Sequence, residues 1–446
     1  MSEKPVVILT YPSIQYEDNY PCSWIPYSIL SIASALKTTR PNVEVVLFDE
    51  NKKSIDNYKD LLNEKENILC VGYSIMTGGG QIAHALELAE ITKKIKPQII
   101  NVFGGPHVNV LPMQTLNHDL VDVVLSGPGQ KSFPCLIDSF LGKSKYEEVP
   151  GLFMYISDQL VVGPQNELDA NTLVPYDYSL IDCNEYIRYD STISNRTINY
   201  ISSQGCVYKC KFCYETNYKR RYSRLPCDTI IHDLEYFKYT YNVNGIKFYD
   251  ADWFINSKKY EVLIHALTDL NLAWAASIHP KDVLRAINNG EPLLQQLSES
   301  HCKRLLMGIE SGSNRILRDV VDKGVTKEEM YFVAEQIAKY GILGSYTFIV
   351  GFPGESVLEQ EETFDFIRSL WKLCPKPETR VHIYTPYPGT VLYEKALSMG
   401  FTPPNNLASW SAFDYYKSNT PWTDASIEQR VKDFTLQIDK NMGDLR

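Results

Sequence analysis

The chain opens with a series of short apolar runs. Val6-Val7-Ile8-Leu9-Thr10 is followed by Val43 to Asp49, Ile68 to Ser74, Ile99 to Phe103 and Val121 to Ser126. Runs this short, bounded by turn residues, read as strands buried on both faces of a parallel sheet. Helical stretches lie between them, from Ile25 to Leu36 and from Gln81 to about Lys94. Strands alternating with helices predict a Rossmann-like, doubly wound parallel α/β sheet over residues 1–150. Three of the strands run into small or glycine-rich turns: Ser74 to Gly80, Gly104-Gly105-Pro106-His107 and Gly127-Pro128-Gly129-Gln130. Ligands of such sheets sit beyond the carboxyl ends of the strands, and glycine there lets backbone come close to a bulky ligand. No Gly-x-Gly-x-x-Gly follows the first strand and no Walker lysine occurs, so neither a dinucleotide nor a P-loop reading has support.

The pattern then changes and repeats. Gly151 to Tyr155 and Leu160 to Gly163 read as a small hairpin within a linker, residues 151–196. From residue 197 six further strands alternate with helices. They are Ile198 to Ser202, Gly245 to Phe248, Leu272 to Ile278, Arg304 to Ile309, Gly344 to Val350 and Arg380 to Tyr384. Six such repeats predict a partial (β/α)6 TIM-like barrel over residues 197–400, with its site at the strand ends. Residues 401–446 carry Trp410, Phe413, Tyr415, Tyr416 and Trp422, then a helix from about Ala425 to Met442. This small C-terminal helical region is expected to close a cavity or to pack against the barrel.

Composition narrows the class. With 446 residues there is room for two or three domains, and 44% hydrophobic with 22% charged residues is ordinary for a globular protein. A net charge of -10 argues against nucleic-acid binding. Ten irregularly spaced cysteines do not form a secreted disulfide pattern. No stretch approaches the roughly 20 apolar residues of a membrane span. Met1 to Pro5 lead straight into the first strand, so no signal peptide is expected and the expected location is cytoplasmic.

The chemistry concentrates in Ser203-Gln204-Gly205-Cys206-Val207-Tyr208-Lys209-Cys210-Lys211-Phe212-Cys213, at the end of the first strand of the second series. Three thiols in eight residues read as a soft-metal site. A structural zinc would need a fourth ligand, for which Cys227 is the near candidate and His232 the farther one. The alternative is an iron-sulfur cluster on three thiolates, with one iron left open to a small molecule.

The three cysteines, with the aromatic Phe212 beside the last, resemble the signature of the radical S-adenosylmethionine (SAM) enzymes. That resemblance implies a 4Fe-4S cluster on Cys206, Cys210 and Cys213, with SAM on the fourth iron. It also assigns Asp250 and Asp252, in Tyr249-Asp250-Ala251-Asp252, to the ammonium group of SAM. Glu310, in Gly308-Ile309-Glu310-Ser311-Gly312, is assigned to its ribose. Gly351-Phe352-Pro353-Gly354-Glu355 matches the same subgroup. The first domain in turn resembles the cobalamin-binding domain of cobalamin-dependent radical SAM enzymes. Ser74, Thr77, Gly104, Gly105, His107, Gly127 and Gly129 would then surround the corrin and its tail. Pro128 and Gln130 depart from the usual Gly-Glu-Gly-Glu pattern. Asp49-Glu50-Asn51-Lys52-Lys53-Ser54 lacks the histidine and glycine of an Asp-x-His-x-x-Gly loop, so cobalt ligation from there is not expected.

The resemblance implies methylation of an unactivated carbon. A 5′-deoxyadenosyl radical would abstract hydrogen and methylcobalamin would supply the methyl group. The alternative is a non-methylating member of cyclase, ring-contraction or oxidase type. A small-molecule or peptide substrate and an electron donor such as flavodoxin or ferredoxin are the implied partners.

Overall fold

The structure is a computed structural model. It describes residues 4–14, 24–78, 80–219, 221–255, 257–413, 420–424 and 426–431, without the side chains of 257–259. The chain divides into two compact units, Met1–Tyr186 with Pro403–Asp414, and Ile187–Thr402 with Tyr415–Arg446.

The first unit carries a seven-stranded sheet of β1 (Val6–Tyr11), β2 (Glu44–Asp49), β3 (Ile68–Ser74), β4 (Ile100–Gly104), β5 (Val123–Leu125), β6 (Leu152–Ile156) and β7 (Gln159–Val162). The order is β2-β1-β3-β4-β5-β6-β7. The first five strands pair in parallel, and β6 and β7 add antiparallel at one edge. Reversal of direction at β1 makes the sheet doubly wound. α1 (Tyr27–Thr39) packs with α6 (Gly129–Phe140), and α2 (Ile55–Glu64) with α3 (Gln81–Ile95). Two short helices, α4 (Pro106–Val110) and α5 (Pro112–Leu116), link β4 to β5. The core under α1 and α6 gathers Val7, Leu9, Ile29, Leu36, Val102 and Phe133, all buried. Gly72 in β3 makes room for it, since a Cβ there would meet Leu9 at 2.8 Å and Phe133 at 3.1 Å.

Three expectations change here. The hairpin assigned to a linker is part of the first sheet, because Phe153 and Met154 pair with Val124 and Val123. Helix α2 was not anticipated, although Ser54 and Asn57 form a capping box and Tyr58 and Leu62 bury at helical spacing. The aromatic tail, expected on the barrel or its cavity, divides: Trp422 meets the expectation, its indole donating to Gly351 O at 3.0 Å in the second unit, whereas Trp410 and Phe413 are buried in the first unit, where the Trp410 indole donates to Gln114 Oε1 at 2.6 Å. Tyr415 and Tyr416 lie outside the described residues, and of the expected terminal helix only 426–431 are described, as helix.

The second unit has another seven-stranded sheet. Its edge strand β8 (Arg188–Asp190) runs antiparallel to β9 (Ser194–Tyr200). A separate ribbon pairs β10 (Ser203–Gly205) with β11 (Tyr222–Arg224). β12 (Gly245–Phe248), β13 (Ala273–Ser277), β14 (Cys302–Glu310), β15 (Leu343–Val350) and β16 (Glu378–Ile383) then follow β9 in parallel. The sheet order is β16-β15-β14-β13-β12-β9-β8, monotonic along the chain. Each crossover of the usual right hand then falls on the same face, which gives a partial, barrel-like sheet. The crossovers are α7 (Cys227–Tyr241), α8 (Ser257–Asp269), α9 (Pro280–Asn288) with α10 (Leu293–Glu299), α11 (Lys327–Lys339) and α12 (Val357–Leu370). α13 (Val391–Ser398) follows the last strand. No helix among the described residues is long and apolar enough to cross a membrane.

Candidate active site

In the second unit the strand ends and the cysteine loop enclose a cavity of about 560 Å³. Cys206, Cys210 and Cys213 line it together with Phe212, Asp252, His279, Glu310, Lys323 and Tyr384. The cysteine loop is tied down on two sides by its own backbone. Lys211 N donates to Val321 O at 2.9 Å, and Leu392 N donates to Lys211 O at 3.0 Å. Tyr208 adds a third tie, stacking on His279 at 3.7 Å and donating its hydroxyl to Asp282 at 2.7 Å. The basic residues near the loop are partly spoken for: Lys209 pairs with Asp322 at 2.9 Å, and Lys211 donates to Asp319 O.

Burial pushes the Cys206 and Cys213 thiols up to about 12 and raises Cys210 as well. Thiolates form there only when a bound cation repays the cost of desolvation. Among the described residues no three His, Cys, Asp or Glu side chains close on a single metal ion. Cys227 and His232 are absent from the cavity lining, and His232 is largely exposed. The three thiols thus share a cavity with neither Cys227 nor His232 beside them, a donor set suited to a cluster with one open iron.

The two aspartates expected to act together are separated. Asp250 is buried and turned inward, accepting from Ser202 N at 3.2 Å, from Ser202 Oγ at 2.7 Å and from Ser203 Oγ. It does not line the cavity. Asp252 does line it. Its Oδ1 accepts from Phe254 N at 3.0 Å, while Oδ2 is buried without a partner. Burial, and then the facing Asp282, raises the Asp252 pKa well above the carboxylate range. A buried carboxylate oxygen without a donor suits an incoming ammonium group.

Glu310 ends β14 with φ of 71°, a left-handed backbone rare outside glycine. Its Oε1 accepts from Lys323 Nζ at 2.9 Å, both side chains being buried. Gly308 makes room for this pair, since a Cβ there would meet Glu310 Oε1 at 2.1 Å. Burial alone would lower the Lys323 pKa, but the Glu310 carboxylate and the Cys210 and Cys213 thiols outweigh it and keep the ammonium charged. His279 is held neutral by burial and by Lys323 and Lys281, with its pKa at about 2. Its Nδ1 accepts from Lys281 N at 3.2 Å, which leaves the proton on Nε2, buried and without a partner in the cavity wall. Lys323, His279 and Tyr208 were not found in the sequence. Tyr208 lies within the motif itself. The glycine after Lys323 marked its turn, but nothing local distinguished the other two from ordinary loop residues.

In the first unit the expected loops meet at the carboxyl edge of the sheet, but most of their glycines are used internally. Gly105 has φ of 101°, and a Cβ on it would meet Ile75 O at 2.6 Å. Gly127 is pressed against Asn166 and Gly129 against Ile32. Gly104 alone of the four leaves that space open, with Leu125 O at 3.6 Å. His107 is fully buried: its Nδ1 lies 3.2 Å from Thr77 Oγ1 and its ring sits edge-on to Trp410 at 5.6 Å. It offers no exposed nitrogen to a ligand, and burial lowers its pKa to about 4. What faces outward is Ser74, in part, and the exposed thioether chain of Met76. These residues fit a flat, largely apolar group held by backbone and small side chains. His107, fully buried with its Nε2 unpartnered, is not among the outward-facing residues.

The comparisons with known proteins agree with this division. Residues 18–137 match the B12 binding domain family, and residues 200–367 match the Radical SAM superfamily. The chain therefore joins a B12 binding domain to a radical SAM domain, in the architecture of cobalamin-dependent radical SAM enzymes. Among curated proteins it is 27% identical over 354 residues to an uncharacterized methyltransferase of Pyrococcus horikoshii, covering 78% of this chain and 74% of that one. It is 24% identical to the anaerobic magnesium-protoporphyrin IX monomethyl ester cyclase of Rubrivivax gelatinosus, covering 84% of this chain and 66% of the cyclase. Among solved structures, the radical SAM methyltransferase TsrM from Kitasatospora setae shares the fold with a TM-score of 0.70 at 16% identity, over 90% of this chain and 77% of TsrM. The cobalamin-dependent enzyme OxsB shares it with a TM-score of 0.69 at 17% identity, over 98% of this chain and 62% of OxsB.

Proposed function

We propose that this protein is a cobalamin-dependent radical SAM methyltransferase acting on an unactivated carbon of a small-molecule or peptide substrate. The observation that carries the reading is the convergence of Cys206, Cys210, Cys213, Asp252 and Glu310 on one cavity. The three cysteines would hold a 4Fe-4S cluster and leave one iron for SAM. Asp252, through its unpartnered oxygen, would take the ammonium group of SAM. Glu310, paired with Lys323, would accept from the ribose hydroxyls. Ser74, Met76 and Gly104 would lie against the corrin, with Thr77 buried behind them on His107. Bound in these places, the cluster would supply the electron that splits SAM into methionine and a 5′-deoxyadenosyl radical, and cobalamin would supply the methyl group.

The chain itself supplies position. Phe212 and Tyr384 line the cavity and Phe352 packs between them, with ring centroids 6.0 and 5.5 Å apart along the series. Tyr208 holds the cysteine loop to α9 through Asp282. Orientation matters because hydrogen abstraction requires near-contact between reacting atoms. Reduced flavodoxin or ferredoxin is the class of donor that would deliver the electron.

The methyl reading is favoured by the methyltransferases among the relatives, and the cyclase reading by the Rubrivivax match. One experiment separates them. Reconstituted protein is incubated anaerobically with a reductant, candidate substrates and SAM carrying a deuterated methyl group. Mass spectrometry of a product heavier by the labelled methyl supports the proposal. Label found only in methionine, beside deoxyadenosine and an altered but unmethylated product, replaces it with the cyclase or oxidase reading.

A further inference from the structure

The two faces of the second sheet carry different side chains. Tyr346, Phe348 and Val350 of β15 and Val381 and Ile383 of β16 are buried toward the crossover helices. On the opposite, concave face Ser345, Thr347, Glu378 and His382 are half-buried and Arg380 is exposed. The inside of a barrel of strands and helices is normally filled by branched apolar side chains. This one is polar and half-exposed, so it does not pack as a core. The cavity opens on the same face, where Ser277, Leu306, Thr347 and His382 line it.

On that face two cations converge on one phenol. Arg188 of β8 donates from Nη2 to the Tyr249 hydroxyl at 3.1 Å, and Lys247 of β12 holds its Nζ over the Tyr249 ring, 4.7 Å from the centroid. All three side chains are half-buried. The two carboxylates of this face, Asp190 and Glu378, both pair with Arg304, at 3.0 and 3.4 Å. Among the described residues neither Arg188 nor Lys247 is in an ion pair with a carboxylate. Burial lowers the Lys247 pKa, Tyr249 opposes the fall, and Arg304 and Arg188 add to it. Glu215, Asp252 and Glu310, the acidic side chains of the cavity lining, are not among the main charges felt at Lys247. Arg188, Lys247, Arg304 and Arg380 against Asp190 and Glu378 leave the face with an excess of positive charge. Partly desolvated cations held together are costly until an anion offsets them. An ammonium beside a planar guanidinium fork matches the oxygens of a carboxylate or phosphate.

These cations do not line the cavity; they lie one strand step from it. Lys247 is in register with Ala275, and Ala275 with Arg304. Two residues further along those strands, on the same face, Ser277 and Leu306 line the cavity. That step is about 7 Å. Arg380 is in register with the cavity-lining Thr347, and burial and then the Arg380 charge lower the pKa of His382, which also lines the cavity. We infer that Arg188 and Lys247, on either side of Tyr249 and backed by the charge of Arg380, bind a carboxylate or phosphate group of the substrate, whose reacting carbon lies in the adjoining cavity. The substrate is thus an anion long enough to span the strand step. The inference rests on the proposed function in taking the ligand to be the substrate rather than SAM.

The test is calorimetric titration of the reconstituted full chain with inorganic phosphate and with sodium acetate, first without SAM and then with SAM at saturation. Wild-type protein is expected to bind at least one probe. Tighter binding of phosphate assigns the group to the phosphate class, and equal or tighter binding of acetate to the carboxylate class. Lys247→Met and Arg188→Met should each weaken that binding by about tenfold. Binding that persists beside SAM supports a substrate site. Displacement of the probe by SAM, absence of binding to wild type, or undiminished binding by both variants overturns the inference. Thermal melting checks that the variants fold. If neither does, Arg380→Gln on the exposed edge strand should weaken the probe by about threefold, and undiminished binding there overturns the inference in the same way. SAM binding and deoxyadenosine formation are measured separately on wild type. Their failure overturns the proposed function and leaves the titrations without SAM standing.

Discussion

Both units are built from parallel strands joined by helices, yet they treat their strand ends differently. In the first, the order reverses at β1, helices cover both faces, and the glycine turns are largely filled by the protein's own backbone and side chains. In the second, the order is monotonic, and every strand from β12 to β16, or the turn after it, contributes to one cavity. The difference lies in what remains unsatisfied. The described loops of the first unit leave His107 Nε2 buried without a partner inside the fold, whereas the second gathers Asp252 Oδ2, His279 Nε2 and the Tyr384 hydroxyl, also without partners, in one cavity wall. Buried polar atoms in native proteins are nearly always paired, so such a group of exceptions marks where a ligand completes the structure.

The sharpest break in the comparison is expected at the cysteines. Replacing any one of Cys206, Cys210 or Cys213 with alanine should abolish stable iron binding and lower SAM cleavage by about a thousandfold or more, while the first unit keeps its fold. Iron analysis and deoxyadenosine chromatography check this.

Next come the two aspartates, which look equivalent in sequence and differ in the structure. Asp252→Asn should weaken SAM binding by about 10- to 100-fold, near 1.5 to 3 kcal/mol, with little change in melting temperature. Asp250→Ala should do the reverse. It strands the donors of Ser202 and Ser203 and should cost about 2 to 4 kcal/mol of stability. Equal effects on SAM affinity would mean that both carboxylates reach the ligand.

That contrast also shows how much was legible in the sequence. The parallel strands of both sheets were readable because apolar runs between turn residues are a local signal, and the cysteine loop because its spacing is one. Which of Asp250 and Asp252 faces the cavity was not readable, since it depends on Ser202 and Ser203 arriving from another strand. Lys323 was hidden for a related reason. It sits 13 residues after Glu310, beyond a turn in which Asp322 has φ of 56°, and only the folded chain brings the two together. Gly105, Gly127 and Gly129 were read as space for a ligand, but a glycine needed against Ile75, Asn166 or Ile32 looks the same in sequence. The placement of Trp410 beside His107, some 300 residues apart, carries no local trace at all.

A smaller effect is expected at Lys323. Lys323→Met should leave the buried Glu310 carboxylate without its ion-pair partner and weaken SAM binding. Binding isotherms check this, with about fivefold weaker binding expected.

The smallest belongs to the first unit. His107 is held neutral, with its pKa at about 4 against an ordinary value of 6.5. The unfolded chain therefore binds the extra proton first. Stability from this residue is full above pH 6.5, is lost as pH falls from 6.5 toward 4, and levels off below, for a total of about 3 kcal/mol at most. Urea unfolding of His107→Phe should show a flatter pH dependence over that window. If the variant instead altered the visible spectrum of added cobalamin while leaving the pH dependence unchanged, His107 would be acting on the ligand rather than on the fold.

The central claim is that the cavity of the second unit takes SAM beside an iron-sulfur cluster. It is tested most directly by reconstituting the chain anaerobically with iron and sulfide, reducing it, and measuring 5′-deoxyadenosine released from SAM. The account predicts a broad visible absorption, about four irons per chain, and deoxyadenosine release that disappears in Cys210→Ala. Protein that stays colourless and leaves SAM intact would contradict it.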